Sequence, residues 1–215
     1  MTPGSAPAVR FDPALVRRDY RDAGQGLLDV AELVPHRDWD RPALGQWSVR
    51  DLVGHAGRAF ATVSSYLDSG RGAAIALDHP FDYAAAFSLV SADPDAVIAR
   101  GRQAGADLGA DPAVSLRGLY ESALADLARA PDDAPAATIA GVMRVIDYLP
   151  SRVFELVVHT DDLSRAVGVP HQAPQGARGL ALVFAAGLAA RGLGYAEALR
   201  ALTGRAELPG GYTVL

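Results

Sequence analysis

Glu155 and His159 stand four residues apart in the run Arg152-Val153-Phe154-Glu155-Leu156-Val157-Val158-His159. Four residues make about one helical turn, so a carboxylate and an imidazole leave the same face and can meet at one point. Both are suitable ligands for Zn²⁺ or a similar divalent ion. Arg152, Glu155, His159 and Asp162 also form a single polar stripe, and such a stripe on an amphipathic helix is ordinarily solvated. Yet Val153, Phe154, Leu156, Val157 and Val158 wrap the rest of the turn. A glutamate in those surroundings needs a wet groove or a strong partner. Spacing alone leaves both readings open. Asp162, one turn beyond His159, is either an acceptor for its second ring nitrogen or an ordinary surface aspartate.

His55 is the other imidazole inside a helical pattern. Alone beside an apolar seam, it reads first as a hydrogen-bonded boundary residue. Asp51, one turn earlier, is placed either to accept from its ring or to cap the helix. His36, His79 and His171 fall in loops without a partner at ligand spacing. The chain has no cysteine, which excludes disulfides, Cys-based zinc sites and a thiol nucleophile of its own. Any thiol chemistry needs a thiol brought from outside.

The elements that must carry these residues are helices. Asp12-Pro13 is a start signal, followed by an apolar seam through Val16, Tyr20, Ala23, Leu27, Val30 and Val34. Pro35 and the polar segment 36–46 end it. Ser48 and Asp51 resemble a capping box and open a second helix with Leu52, Ala56, Ala59, Val63 and Leu67 on its apolar face. Residues 73–93 read as a long connection with one short helical piece. Asp93-Pro94 and Asp111-Pro112 repeat the start signal, for helices to about Leu108 and Ala130. Pro131 to Pro135 reads as a loop, and 138–145 could hold a strand. A further helix is expected from near Pro150 to Val167, stopped by Gly168-Val169-Pro170. Residues 177–190 and Tyr195 to Leu202 give two more. The architecture expected is mainly α, a bundle of four long helices with a short C-terminal helical extension.

Composition narrows the function. With 20 basic residues, all arginine, against 25 acidic ones, the formal net charge is −5, which offers no broad grip on nucleic acid or anionic membrane. The apolar run between Arg178 and Arg191 is far short of the roughly 20 residues that span a bilayer. Residues 1–10 lack the apolar core of a secretory signal. A cytoplasmic protein is expected.

Two segments carry a resemblance. Trp47-Ser48-Val49-Arg50-Asp51-Leu52-Val53-Gly54-His55 is similar to the tryptophan-to-histidine signature of the DinB-like superfamily, in its mycothiol-dependent maleylpyruvate isomerase branch. Glu155-Leu156-Val157-Val158-His159-Thr160-Asp161-Asp162-Leu163 resembles the second signature of that branch. The resemblance covers roughly residues 12–168 and is weakest between 73 and 135. It implies a four-helix bundle with a divalent metal, usually zinc, held by His55, Glu155 and His159. The branch has glutamate where many other DinB-like proteins have a third histidine. Three protein ligands leave a fourth position open, the pattern of a catalytic site. The resemblance further implies mycothiol as the thiol and a small electrophilic molecule as its partner, in a transferase or isomerase reaction. Arg152 is then a candidate clamp for a carboxylate, beside the plainer reading of a surface ion pair.

Isomerases of this branch carry a second α/β domain that supplies a functional arginine. Here residues 1–168 account for the bundle, and 169–215 form a C-terminal extension, read as a remnant of that domain. Leu202-Thr203-Gly204-Arg205 resembles a motif in its tail, which makes Arg205 a candidate for the role, beside the plainer reading of a surface arginine after a turn. A non-catalytic metal-binding or regulatory bundle and a metal-dependent hydrolase remain as alternatives, and the oligomeric state, monomer or homodimer, is open.

Overall fold

Asp12, Asp93 and Asp111 each precede a proline, and each opens a helix by the same device. The aspartate side chain accepts a backbone N–H of the first turn, and the proline takes a position whose N–H would have no partner inside the helix. In the computed structural model, which describes residues 9–84, 93–192 and 194–214, the first of these helices is α1 (Pro13–Ala31), with Asp12 Oδ1 accepting from Leu15 N at 3.0 Å. Helix α2 (Val49–Ser69) opens on a complete capping box: Ser48 Oγ accepts from Asp51 N, and Asp51 Oδ2 accepts from Ser48 N. Helices α3 (Pro94–Asp107) and α4 (Pro112–Arg129) follow from the other two aspartates.

Helix α5 (Val145–Val167) corrects the sequence expectation at its start, which lies at Val145 and not near Pro150. Pro150 is inside the helix, where its ring removes one intrahelical hydrogen bond. No side chain caps this helix. Its first N–H groups are met instead by loop carbonyls, Val145 N by Ala134 O at 2.8 Å and Ile146 N by Asp132 O at 3.2 Å. The C-terminal end matches expectation, with Gly168 in the left-handed conformation at φ 70°. Helices α6 (Gln175–Arg191) and α7 (Tyr195–Leu202) complete the chain.

Two small antiparallel hairpins occupy connections. β1 (Pro42–Leu44) pairs with β2 (Trp47–Ser48), with Gly45 in the turn at φ 56°. β3 (Pro135–Thr138) pairs with β4 (Gly141–Arg144) and leads directly into α5. The strand expected within 138–145 is present as β4, while β3 begins at Pro135, the last residue of the expected loop. The polar segment before α2 is expected without strands, and its hairpin is too short to show an alternating pattern. Of the connection at 73–93, residues 80–84 are helical and 85–92 lie outside the described residues.

Helices α1, α2, α4 and α5 form the bundle, the mainly α architecture expected. α3 lies along the N-terminal half of α2, and α6 lies against α5 and α1. One apolar core runs through the bundle, including Tyr20, Leu27, Leu52, Phe60, Leu116, Tyr148, Leu149 and Leu156. A smaller cluster of Phe81, Phe154, Ala181 and Phe184 joins residues 80–84 to α5 and α6. Two buried hydroxyls link helices: Tyr20 donates to Ala59 O at 3.0 Å, and Tyr148 and Thr62 share a bond of 2.9 Å. Among the described residues, no helix is long and apolar enough to cross a membrane.

Candidate metal centre

The capping box fixes where α2 begins, and His55 then stands one turn after Asp51 on the side facing α5. Glu155 and His159 stand one turn apart on α5. The three side chains converge: one ligating atom from each lies within 4.8 Å of the others. Glu155 Oε2 is 3.2 Å from His159 Nε2 and 3.9 Å from His55 Nε2. The imidazole planes are nearly perpendicular, at 88° with centroids 4.8 Å apart. All three groups are mostly covered, with 14–24% of their side-chain surface exposed. The polar stripe on α5 is therefore turned toward α2 at Glu155 and His159, and is not a solvated face there.

These residues fit a divalent ion. Two imidazoles and one carboxylate form a donor set of intermediate softness, and tetrahedral ligands about 2.1 Å from an ion stand about 3.4 Å apart. The 3.2 Å separation is close to that edge, and 3.9 Å is somewhat longer. His159 Nδ1 lies 3.1 Å from Asp162 Oδ2, which assigns the Nδ1 proton to that bond and leaves Nε2 for the centre. His55 Nδ1 is different: it is buried and has no hydrogen-bond partner among the described residues. Asp51 therefore acts as the cap and not as an acceptor for His55, which settles the choice left open by the sequence.

Each group is tuned by these neighbours. Burial, reinforced by the nearby His159, holds the His55 imidazole down at about 4, so it is neutral near pH 7. Burial works against the Glu155 carboxylate, but the His159 hydrogen bond and the Arg152 charge overcome it and hold it at about 2. Burial also works against His159, yet its bonds to Asp162 and Glu155 raise it to about 9. In the absence of an ion, the His159 ring is a cation between two carboxylates.

Arg152, one turn before Glu155, is not in a surface ion pair. Its guanidinium lies over the Tyr148 ring at 4.8 Å and the Tyr83 ring at 5.6 Å, and Nε donates to Ser151 Oγ at 3.2 Å. No carboxylate lies within ion-pair distance of it among the described residues. The sequence reading missed this aromatic cradle; Tyr148, one turn before Arg152, was its available signal. Arg205 sits on an exposed turn after α7, where its side chain donates to Thr203 O at 3.3 Å. Of the remaining histidines, His79 bonds Val9 O and accepts from Phe81 N, and none joins the cluster.

A helical bundle with a three-donor cluster between its second helix and its fifth defines a class of candidate metal-binding proteins. Residues 20–164 match the mycothiol maleylpyruvate isomerase N-terminal domain, and the chain belongs to that family. No curated protein and no solved structure matches the chain significantly.

Proposed function

We propose that the protein holds a divalent ion, zinc by the donor set, on His55, Glu155 and His159, and catalyses a mycothiol-dependent transfer or isomerisation on a small electrophile. The observation that carries this reading is the convergence of three donors from two helices, with His159 oriented by Asp162. Family membership supports mycothiol as the thiol, and the absence of cysteine agrees with a thiol from outside. An ion held by His55, Glu155 and His159 would supply Lewis acidity to a thiol brought beside it, favouring loss of the thiol proton near neutral pH.

The chain's own residues do the positioning. Asp162 fixes the tautomer of His159, and burial keeps His55 neutral and able to ligate. Glu155 brings one negative charge, which partly offsets an ion's positive charge in a poorly solvated place. Arg152 offers unused N–H donors one turn away, suited to a carboxylate on the electrophile. In the reaction class proposed, sulfur forms a C–S bond to an unsaturated carbon conjugated to a carbonyl, and the π pair moves onto that carbonyl. In isomerisation the single bond rotates and the thiol leaves again; in transfer the adduct takes a proton and is the product. The remaining residues, 169–215, are proposed as an extension of the bundle domain at 1–168.

Elemental analysis of purified wild type beside His55→Ala and His159→Ala tests the centre. One ion per chain, lost in both variants, is expected; full retention in either removes that ligand. Turnover of an electrophile only when the thiol is supplied is expected for the reaction. Equal turnover without thiol would replace it with hydrolysis.

A further inference from the structure

The two histidines of the candidate centre are held by different means. His159 has a carboxylate on its outer nitrogen, whereas His55 Nδ1 is buried without a hydrogen-bond partner among the described residues. What lies against the His55 ring is Trp47: the centroids are 4.4 Å apart and the planes are tilted by 33°. Trp47 also meets the edge of His159, at 6.5 Å and 71°.

The indole is itself fixed. Its Nε1 donates to Ile98 O on α3 at 3.1 Å, and the residue is 7% exposed. Gly101, one turn along from Val97 on α3, forms its seat: a Cβ there would lie 2.5 Å from Trp47 Cε2 and 2.6 Å from Nε1. Gly105, a further turn on, brings the α3 backbone against α2, where a Cβ would stand 2.8 Å from Asp51 Cα. Glycines four apart thus let α3 approach closely enough to press the indole onto His55.

We infer that Trp47, seated on Gly101 and tethered to Ile98, is the positioning residue for His55, so that α3 sets the geometry of the metal centre without contributing a ligand. A buried imidazole with no hydrogen bond has no directional restraint on its ring; a flat indole restricts its tilt and keeps Nε2 aimed at Glu155. The aromatic contact replaces the carboxylate or carbonyl that usually orients a ligating histidine. This inference rests on the metal reading proposed above.

The test uses the metal-free protein and Co²⁺ as probe, with affinity read by chelator competition and coordination geometry by the visible d–d bands at saturation. Folding is checked by circular dichroism. Trp47→Leu and Gly101→Ala are expected to bind about ten- to a hundredfold more weakly than wild type, with altered bands at saturation. Trp47→Phe, which keeps an aromatic face on His55, is expected to remain within a few-fold with wild-type bands. Wild-type affinity and bands in folded Trp47→Leu or Gly101→Ala would overturn the inference. If neither of those folds, Trp47→Phe decides: a loss of tenfold or more overturns it, and near-wild-type binding supports it. A wild-type protein that binds no Co²⁺, or binds it no better than His55→Ala, removes the metal reading as well. That result is distinct from equal affinities across the Trp47 series.

Discussion

Asp162 Oδ2 lies 3.1 Å from His159 Nδ1, so the proton of that ring nitrogen is committed to a carboxylate three residues away on the same helix. With Nδ1 occupied, Nε2 is the nitrogen that faces Glu155 and His55. Replacing Asp162 by Asn keeps a hydrogen-bond acceptor but removes the charge that makes the imidazole a stronger donor. Asp162→Asn is expected to weaken metal affinity by about tenfold and Asp162→Ala by up to about a hundredfold. Chelator competition checks this, and unchanged affinity in Asp162→Ala would show that the bond has no part in ligation.

Metal binding should also release a proton. At pH 7 His55 (about 4) is neutral and Glu155 (about 2) is ionised, but His159 (about 9) carries a proton on the nitrogen an ion would need. Between about pH 6 and 9, affinity is expected to rise about tenfold per pH unit and then level off. Calorimetry in buffers of different ionisation enthalpy should give close to one proton released per ion at pH 7. The sign reverses for the metal-free fold. A histidine raised above its ordinary value of about 6.5 stabilises fully below that value, and the contribution is lost as pH rises through about 9. The metal-free protein should therefore melt earlier on going from pH 7 to 10, and Asp162→Ala should show less of this decline.

Much of this arrangement is readable from the chain because its signals are local. Each Asp-Pro pair and the Ser48/Asp51 box mark helix starts through bonds to the next turn, and the Glu155/His159 spacing places two donors on one face wherever that helix packs. What the sequence hides depends on distant atoms. The start of α5 at Val145 is set by carbonyls of residues 132 and 134, which have no side-chain signature. The unpartnered nitrogen of His55, and the indole that lies on it, follow from how closely α3 approaches α2, and nothing in the run from Trp47 to His55 states that distance. The choice between cap and histidine acceptor for Asp51 was likewise a question of direction, which residue type leaves open.

Arg152 should act on substrate and not on metal. Its guanidinium is held by two tyrosine rings and uses one donor on Ser151, which leaves N–H groups for a carboxylate. Arg152→Met keeps the apolar stem, and the His159 hydrogen bond, the larger of the causes that hold the Glu155 carboxyl down, is left in place. Hydrogen bonds to charged groups contribute about 1.5–3 kcal/mol, so kcat/KM for a carboxylate-bearing electrophile is expected to fall by roughly ten- to a hundredfold. Bound metal should be unchanged. A loss of metal alongside activity would instead make Arg152 a structural support of the centre.

The close contact of α2 with α3 gives a last expectation, for stability and binding together. A Cβ on Gly54 would overlap the Gly105 backbone nitrogen and stand 2.5 Å from the Ala104 carbonyl carbon. Backbone cannot rotate aside as a side chain can, so in Gly54→Ala helix α3 must move away from α2. Overpacking of this kind costs about 1–3 kcal/mol, partly offset by the better helix propensity of alanine, about 1 kcal/mol. A shift of α3 carries Ile98 and Gly101 with it, and through them the indole on His55. Gly54→Ala is therefore expected to lower the melting temperature of the metal-free protein and also its metal affinity, although residue 54 touches no ligating atom. Thermal melts and chelator competition on the same sample check both. Gly118→Ala on α4, where a Cβ meets nothing within 4 Å, is the control that should change neither for the worse. A destabilised Gly54→Ala with wild-type affinity would mean that α3 can withdraw without disturbing His55.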